Sequence, residues 1–144
     1  MALAACATSR WPDEPGKPVT VSQAANVEAA DQFLTALTAA RSARGLPEPV
    51  VTPRNQSDVR HFAEDLQAGR ASAPAAQRAI EAWGRAKYEG PVESWLIDCT
   101  GGRALELPEK LVSEPSAVMA FAAAQFRPAS AAADQCAVLV VARR

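Results

Sequence analysis

A chain of 144 residues, 49% of them hydrophobic, is enough for one domain with a buried core. Fifteen basic against 16 acidic residues leave a formal net charge of −1 with no long run of one sign. That excludes the basic footprint nucleic acid needs. No run approaches the roughly 18–20 apolar residues of a membrane-spanning helix, so membrane contact requires an added lipid or a signal.

The first six residues read Met-Ala-Leu-Ala-Ala-Cys, and Leu3-Ala4-Ala5-Cys6 resembles the lipobox at which bacterial lipoprotein precursors are cut and lipidated. Small residues before the cysteine suit a narrow, extended segment, and the Cys6 thiol is the attachment point for diacylglycerol. Five residues precede Cys6, short of the charged start and the apolar stretch of about 7–15 residues in an export signal, so this reading expects a start upstream of Met1. An ordinary Ala-rich N-terminus is the alternative.

Residues 7–25 carry Pro12, Pro15 and Pro18 at a spacing of three without apolar periodicity, the pattern of an extended spacer. The expectation is a tether over residues 1–25 and one domain over residues 26–144. Trp11 is out of character in a spacer; it docks on the domain or sits at a membrane interface.

From Asn26, the residues Val27, Ala30, Phe33, Leu34, Leu37 and Ala40 recur at helical spacing, with Gly45 as a C′ glycine. Arg41 and Arg44 suit the negative end of that helix dipole. After an extended Leu46-Pro47-Glu48-Pro49, Thr52 and Pro53 supply an N-cap and an N1 proline. Val59, Phe62, Ala63 and Leu66 form the stripe of a second helix that Gly69 closes. Ser72 caps a third, with Ala76, Ala79, Ile80 and Trp83 on one face. Gly84 weakens it, and Gly90 with Pro91 stops it.

The period then changes to two. Over residues 92–99 Trp95, Ile97 and Cys99 share an inward face. Thr100-Gly101-Gly102 turns the chain, and an irregular stretch runs through Pro115. Residues 116–126 alternate Val118, Ala120, Ala122 and Phe126 against Met119, Phe121 and Gln125, although their alanine density also suits a helix. Residues 136–142 form a near-continuous apolar strand, the kind covered on both faces. The fold class expected is α+β: three N-terminal helices packed on a small, largely antiparallel C-terminal sheet as an α-β-α sandwich.

There are three cysteines. If Cys6 carries a lipid, Cys99 and Cys136, at the ends of two expected strands, are left to pair. Two buried free thiols in a cytosolic protein are the alternative.

Residues 33–47, from Phe33 through Arg41 and Arg44 to Gly45-Leu46-Pro47, resemble the opening helix of the CAP (SCP-like, cysteine-rich secretory) superfamily, which often reads F-x-x-x-L-N-x-x-R-x-x-x-G-L-P. Residues 59–66, Val59-Arg60-His61-Phe62-Ala63-Glu64-Asp65-Leu66, stand where that family has a second helix with A-x-x-H-A-x-D. The closing Phe126-Arg127-Pro128 and the strand from Cys136 are similar to its last strand pair. The resemblance covers the N-terminal third and C-terminal fifth of the chain. Members with a cavity carry two histidines and two acids, often in G-E-N and G-H motifs. This chain has one histidine and neither motif. The resemblance implies a degenerate member on an α-β-α scaffold, without the metal-binding tetrad.

Candidate chemistry is sparse. Asp58, His61 and Asp65 fall at spacings of three and four, one stripe of a helix and a weak metal candidate; a solvated surface is the commoner meaning of such a stripe. His61 is also the sole histidine available as a general base. Trp83, Tyr88 and Trp95 line a ligand groove or, more ordinarily, anchor the core. Glu93 and Asp98 have opposite parity on a strand and do not form a carboxylate pair.

The sequence therefore predicts an exported, lipid-anchored protein of the cell envelope, periplasmic or in the outer membrane. It acts as a non-enzymatic binding or interaction module for a protein or small ligand and reaches the membrane through lipidated Cys6. No cofactor, catalytic residue or nucleic-acid partner is expected. The alternative is a soluble exported hydrolase or metal-dependent enzyme using His61, and a failed lipobox returns the chain to the cytoplasm.

Overall fold

The elements follow in the order β1 (Gly16–Lys17), α1 (Gln23–Ser42), β2 (Val50–Val51), α2 (Pro53–Gln67), α3 (Ala73–Tyr88), β3 (Val92–Asp98), α4 (Glu109–Ser113), β4 (Val118–Pro128) and β5 (Gln135–Arg143). The structure is a computed structural model that describes residues 10–102 and 104–144. Cys6 and its lipobox lie outside the described residues.

The expected starts of α2 and α3 hold because their caps are chemical. Thr52 Oγ1 accepts from Asn55 N at 3.2 Å, and Ser72 Oγ accepts from Ala75 N at 3.2 Å. Each satisfies an amide that has no partner inside its helix. Past α1, the Leu46 N–H donates to Arg41 C=O at 3.0 Å, folding the last turn back around Gly45.

The sheet runs β1-β4-β5-β3, with β2 also on β4. The β4/β5 and β3/β5 ladders are antiparallel, and β2 lies parallel to β4. Two apolar clusters sandwich this sheet, giving the α+β architecture expected. On one face α2 and α3 bring Val59, Ala63, Leu66, Ala76 and Ile80 against Ala120, Ala124, Phe126, Leu139 and Val141. On the other, Phe33 and Leu37 of α1 and Leu111 and Val112 of α4 meet Ile97, Met119, Phe121, Val138 and Val140. With both faces covered, β5 has no polar face at all.

The differences from expectation are instructive. The spacer is not a free tether over its described part: Trp11 is buried with its ring 5.4 Å from Phe126, and β1 pairs Gly16–Lys17 with Pro128 and Arg127. The packed unit thus begins well before residue 26. Helix α1 starts at Gln23, and Val27, expected in the stripe, is 54% exposed. Ala79 is exposed as well. The stretch read as irregular contains α4, and the Pro49 region contributes β2; both are too short to leave a periodic signal.

Arg41 is more than a dipole partner. Its guanidinium is fully buried and donates to the carbonyls of Pro47 (2.9 Å), Leu111 (3.1 Å) and Glu114 (2.6 Å), tying α1 to the loop before β2 and to the end of α4. Burial lowers its pKa from the ordinary arginine value, with the Glu114 charge opposing. Gly84, read as a weak point, is a close approach: a Cβ there would stand 2.6 Å from Val141 Cγ2, so its absence lets α3 sit low on the sheet.

Candidate functional site

Strand β4 has 11 residues, and its two neighbours on the side away from β5 are very short. Strand β2 pairs only with Val118 and Met119, and β1 only with Arg127 and Pro128. Between them residues 120–126 have no strand partner on that side among the described residues.

Hydrogen-bond parity identifies which main-chain groups face the opening. The Cys99 N–H donates to Cys136 O at 3.0 Å, so residues 136, 138 and 140 of β5 bond towards β3. Residues 137, 139 and 141 therefore bond towards β4, where they face Ala124, Ala122 and Ala120. That leaves Phe121, Ala123 and Gln125 directing N–H and C=O outward. One of these groups is capped: Phe121 N donates to Gln56 Oε1 at 2.8 Å, a side-chain amide in the place of a neighbouring strand's carbonyl.

A groove of about 240 Å³ lies over this edge, with Asn26, Val27 and Ala30 of α1 on one wall and Gln56, Arg60, Glu64 and Gln67 of α2 on the other. Phe121, Ala122 and Ala123 line its floor. Asn26 Oδ1 is buried without a hydrogen-bond partner. The lining brings amides, one guanidinium and one carboxylate, with no serine, threonine, cysteine, histidine or lysine. Such a surface can hold a ligand by hydrogen bonds but offers no nucleophile of the usual kinds. Its volume is below the roughly 300–1,000 Å³ of clefts that enclose small molecules.

The residues singled out from the sequence lie elsewhere. Asp58, His61 and Asp65 are all on α2, but Asp65 is held by Arg70 at 2.7 Å and His61 is exposed. No group of three or more His, Cys, Asp or Glu among the described residues could hold a metal ion. Trp83 and Tyr88 meet edge to face at 5.9 Å, both part-buried, and Trp83 packs on the α2/α3 cluster. Asn55 Nδ2 donates to Tyr88 Oη at 3.2 Å, while burial raises the tyrosine pKa above its usual value. Trp95 packs on the opposite cluster, so these aromatics anchor the core. Glu93 meets Lys110 and Arg144, and Asp98 meets Arg10, as their opposite parity requires.

Cys99 and Cys136 are joined in a disulfide, with 4.9 Å between their Cα atoms. They extend the β3/β5 ladder by one directly opposed pair. The groove escaped sequence reading because it is built from alanines and amides. Its one signal is that residues 120–126 carry no charge, unusual for a strand with an open edge.

No family model, curated protein or solved structure matches this chain.

Proposed function

We propose that this is an exported, lipid-anchored protein of the cell envelope that acts as a non-enzymatic binding module on a CAP-like scaffold. The observation that carries the compartment is the Cys99–Cys136 disulfide, because such bonds persist outside the reducing cytosol. With those two cysteines paired, Cys6 is the remaining thiol, available for a lipid. No helix among the described residues is long and apolar enough to cross a membrane, so the anchor of this reading is the lipid. Binding rather than catalysis is supported by the groove over β4, which pairs unpaired main-chain groups with amide walls. The CAP-like reading rests on the three-layer arrangement and the opening-helix motif, with one histidine where cavity-bearing members use two.

Mass spectrometry of the native membrane fraction tests the anchor. The expected species begins at Cys6 and carries diacylglycerol; an unmodified Met1 with a free Cys6 thiol overturns it. His61→Ala tests the enzymatic alternative: under the binding reading, zinc titration of the parent shows no affinity that the variant lacks.

A further inference from the structure

The open stretch of β4 has the chemistry of a missing strand. We infer that the groove between α1 and α2 binds a short extended polypeptide segment by strand addition to Phe121 and Ala123. This deepens the binding-module reading and rests on it, by naming the ligand class.

Three observations carry the inference. The first is geometric. The edge is bounded at one end by β2 on Met119 and at the other by β1 on Arg127, so a short strand would lie in line with two that already pair there. Within the groove the floor is Phe121 to Ala123, with Val21 and Gln23 at its end; at about 3.3 Å per residue that is roughly 10 Å, room for a segment of about three residues.

The second is the Gln56 amide. Its Oε1 sits where an incoming strand's carbonyl would sit relative to the Phe121 N–H. The Phe121 C=O and both main-chain groups of Ala123 and Gln125 face the same way. Donors and acceptors alternating along a line are matched by an extended backbone and by few other ligands.

The third is the contrast between walls and floor. The floor is only three residues long and recessed between α1 and α2, too short for the full edge strand of a second copy of this domain. Ala122 and Ala123 leave space beside the backbone, and the unmet Oδ1 of Asn26 is a further acceptor in the wall. Arg60 and Glu64 balance in charge, so recognition is mainly through the main chain and tolerant of sequence.

The test uses the full chain with Cys6→Ser, labelled with 15N, so the outcome is independent of whether the anchor exists. The probe is the peptide acetyl-Lys-Thr-Val-Ser-Val-Thr-Lys-amide at about 1 mM, a level that half-saturates a millimolar site. Its control is the same peptide with alternate backbone nitrogens methylated. In the free protein the amides of Ala123 and Gln125 should exchange with solvent at least about tenfold faster than those of Ala122 and Ala124. The probe should shift the Ala123 amide and slow it about twofold, and the methylated control should not. Gln56→Ala, which uncaps the Phe121 N–H, should tighten probe binding by about fivefold, the worth of one further hydrogen bond. Ala30→Trp, filling the groove from α1, should abolish binding. Equal protection of residues 122–125 in the free chain overturns the proposal. So does an equal response to both peptides, or none to either. Loss of the lipid with intact peptide binding would remove the anchor alone.

Discussion

Two edges of one sheet meet the same hazard differently. Strand β3, the far edge, is guarded: Ser94 O accepts from Gln77 Nε2 at 3.1 Å, Ser94 Oγ donates to Glu81 at 2.6 Å, and Asp98 pairs with Arg10 at 2.6 Å. Its end is also clamped by the Cys99–Cys136 bridge. The open side of β4 carries no charge over residues 120–126 and has one side-chain cap, from Gln56. Unpaired edges invite association, and proteins usually blunt them with charge, cover or short length. One edge here is blunted by chemistry. The other is only recessed between two helices, and a recessed bare edge is a place to receive a strand.

The largest break in this comparison comes at the guarded end. Replacing Cys99 and Cys136 by alanine opens a cross-link spanning 37 residues, and the chain-entropy model puts the loss at about 4 kcal/mol in a urea melt. Amide exchange should loosen at Ile97 and Val138, which bond across the β3/β5 ladder, while Ala123 and Gln125, expected to be fast in the parent, stay unchanged. Arg41→Met should cost about 3 kcal/mol, because the carbonyls of Pro47, Leu111, Val112 and Glu114 lose a charged donor at a buried position.

Gly69→Ala acts on the open edge itself. Gly69 has φ +73°, and an added Cβ would stand 2.4 Å from Gly16 O, so the variant must push β1 away. About 2 kcal/mol of destabilisation is expected, with faster exchange at the Arg127 amide as the open edge lengthens. Asp98→Ala removes one guard, the ion pair to Arg10 together with the Oδ1 that accepts the Thr100 N–H at 2.9 Å, and the loss should be about 1.5 kcal/mol by thermal melt.

The smallest effect is a pH dependence. The Arg44 guanidinium holds the Glu109 carboxyl below its usual range. A lowered folded-state pKa gives a favourable contribution that is present above the unfolded value and fades as pH falls through the folded one. An NMR titration of Glu109 should therefore move upward in Arg44→Gln. Both groups are exposed, so melting should barely change.

The caps at Thr52 and Ser72 and the turn at Gly45 were legible because they are local: the group that satisfies the backbone sits within a few residues of it. The alternation in β4 was legible only in part: its alanines suit a helix as well, and Met119 and Phe126, seven residues apart, would share a helical stripe, so pairing with β5 decided it. The docking of Trp11 was not, since a spacer and an edge strand have the same proline-rich composition until a partner is nearby. Asp58, His61 and Asp65 show the limit of spacing: it put them on one stripe of α2, and the partner Arg70 of Asp65 came only with the structure.

By itself the sequence determined where α2 and α3 begin and where the period changes from 3.6 to 2, and it left Cys99 and Cys136 as the pair once Cys6 is set aside. Those are properties of neighbours along the chain. Only the tertiary structure decided that Arg41 is buried, that Gly84 is a contact surface, and that β4 is paired at both ends but bare in between. These depend on what arrives from 40 or more residues away, and an unpaired backbone N–H looks the same in every sequence.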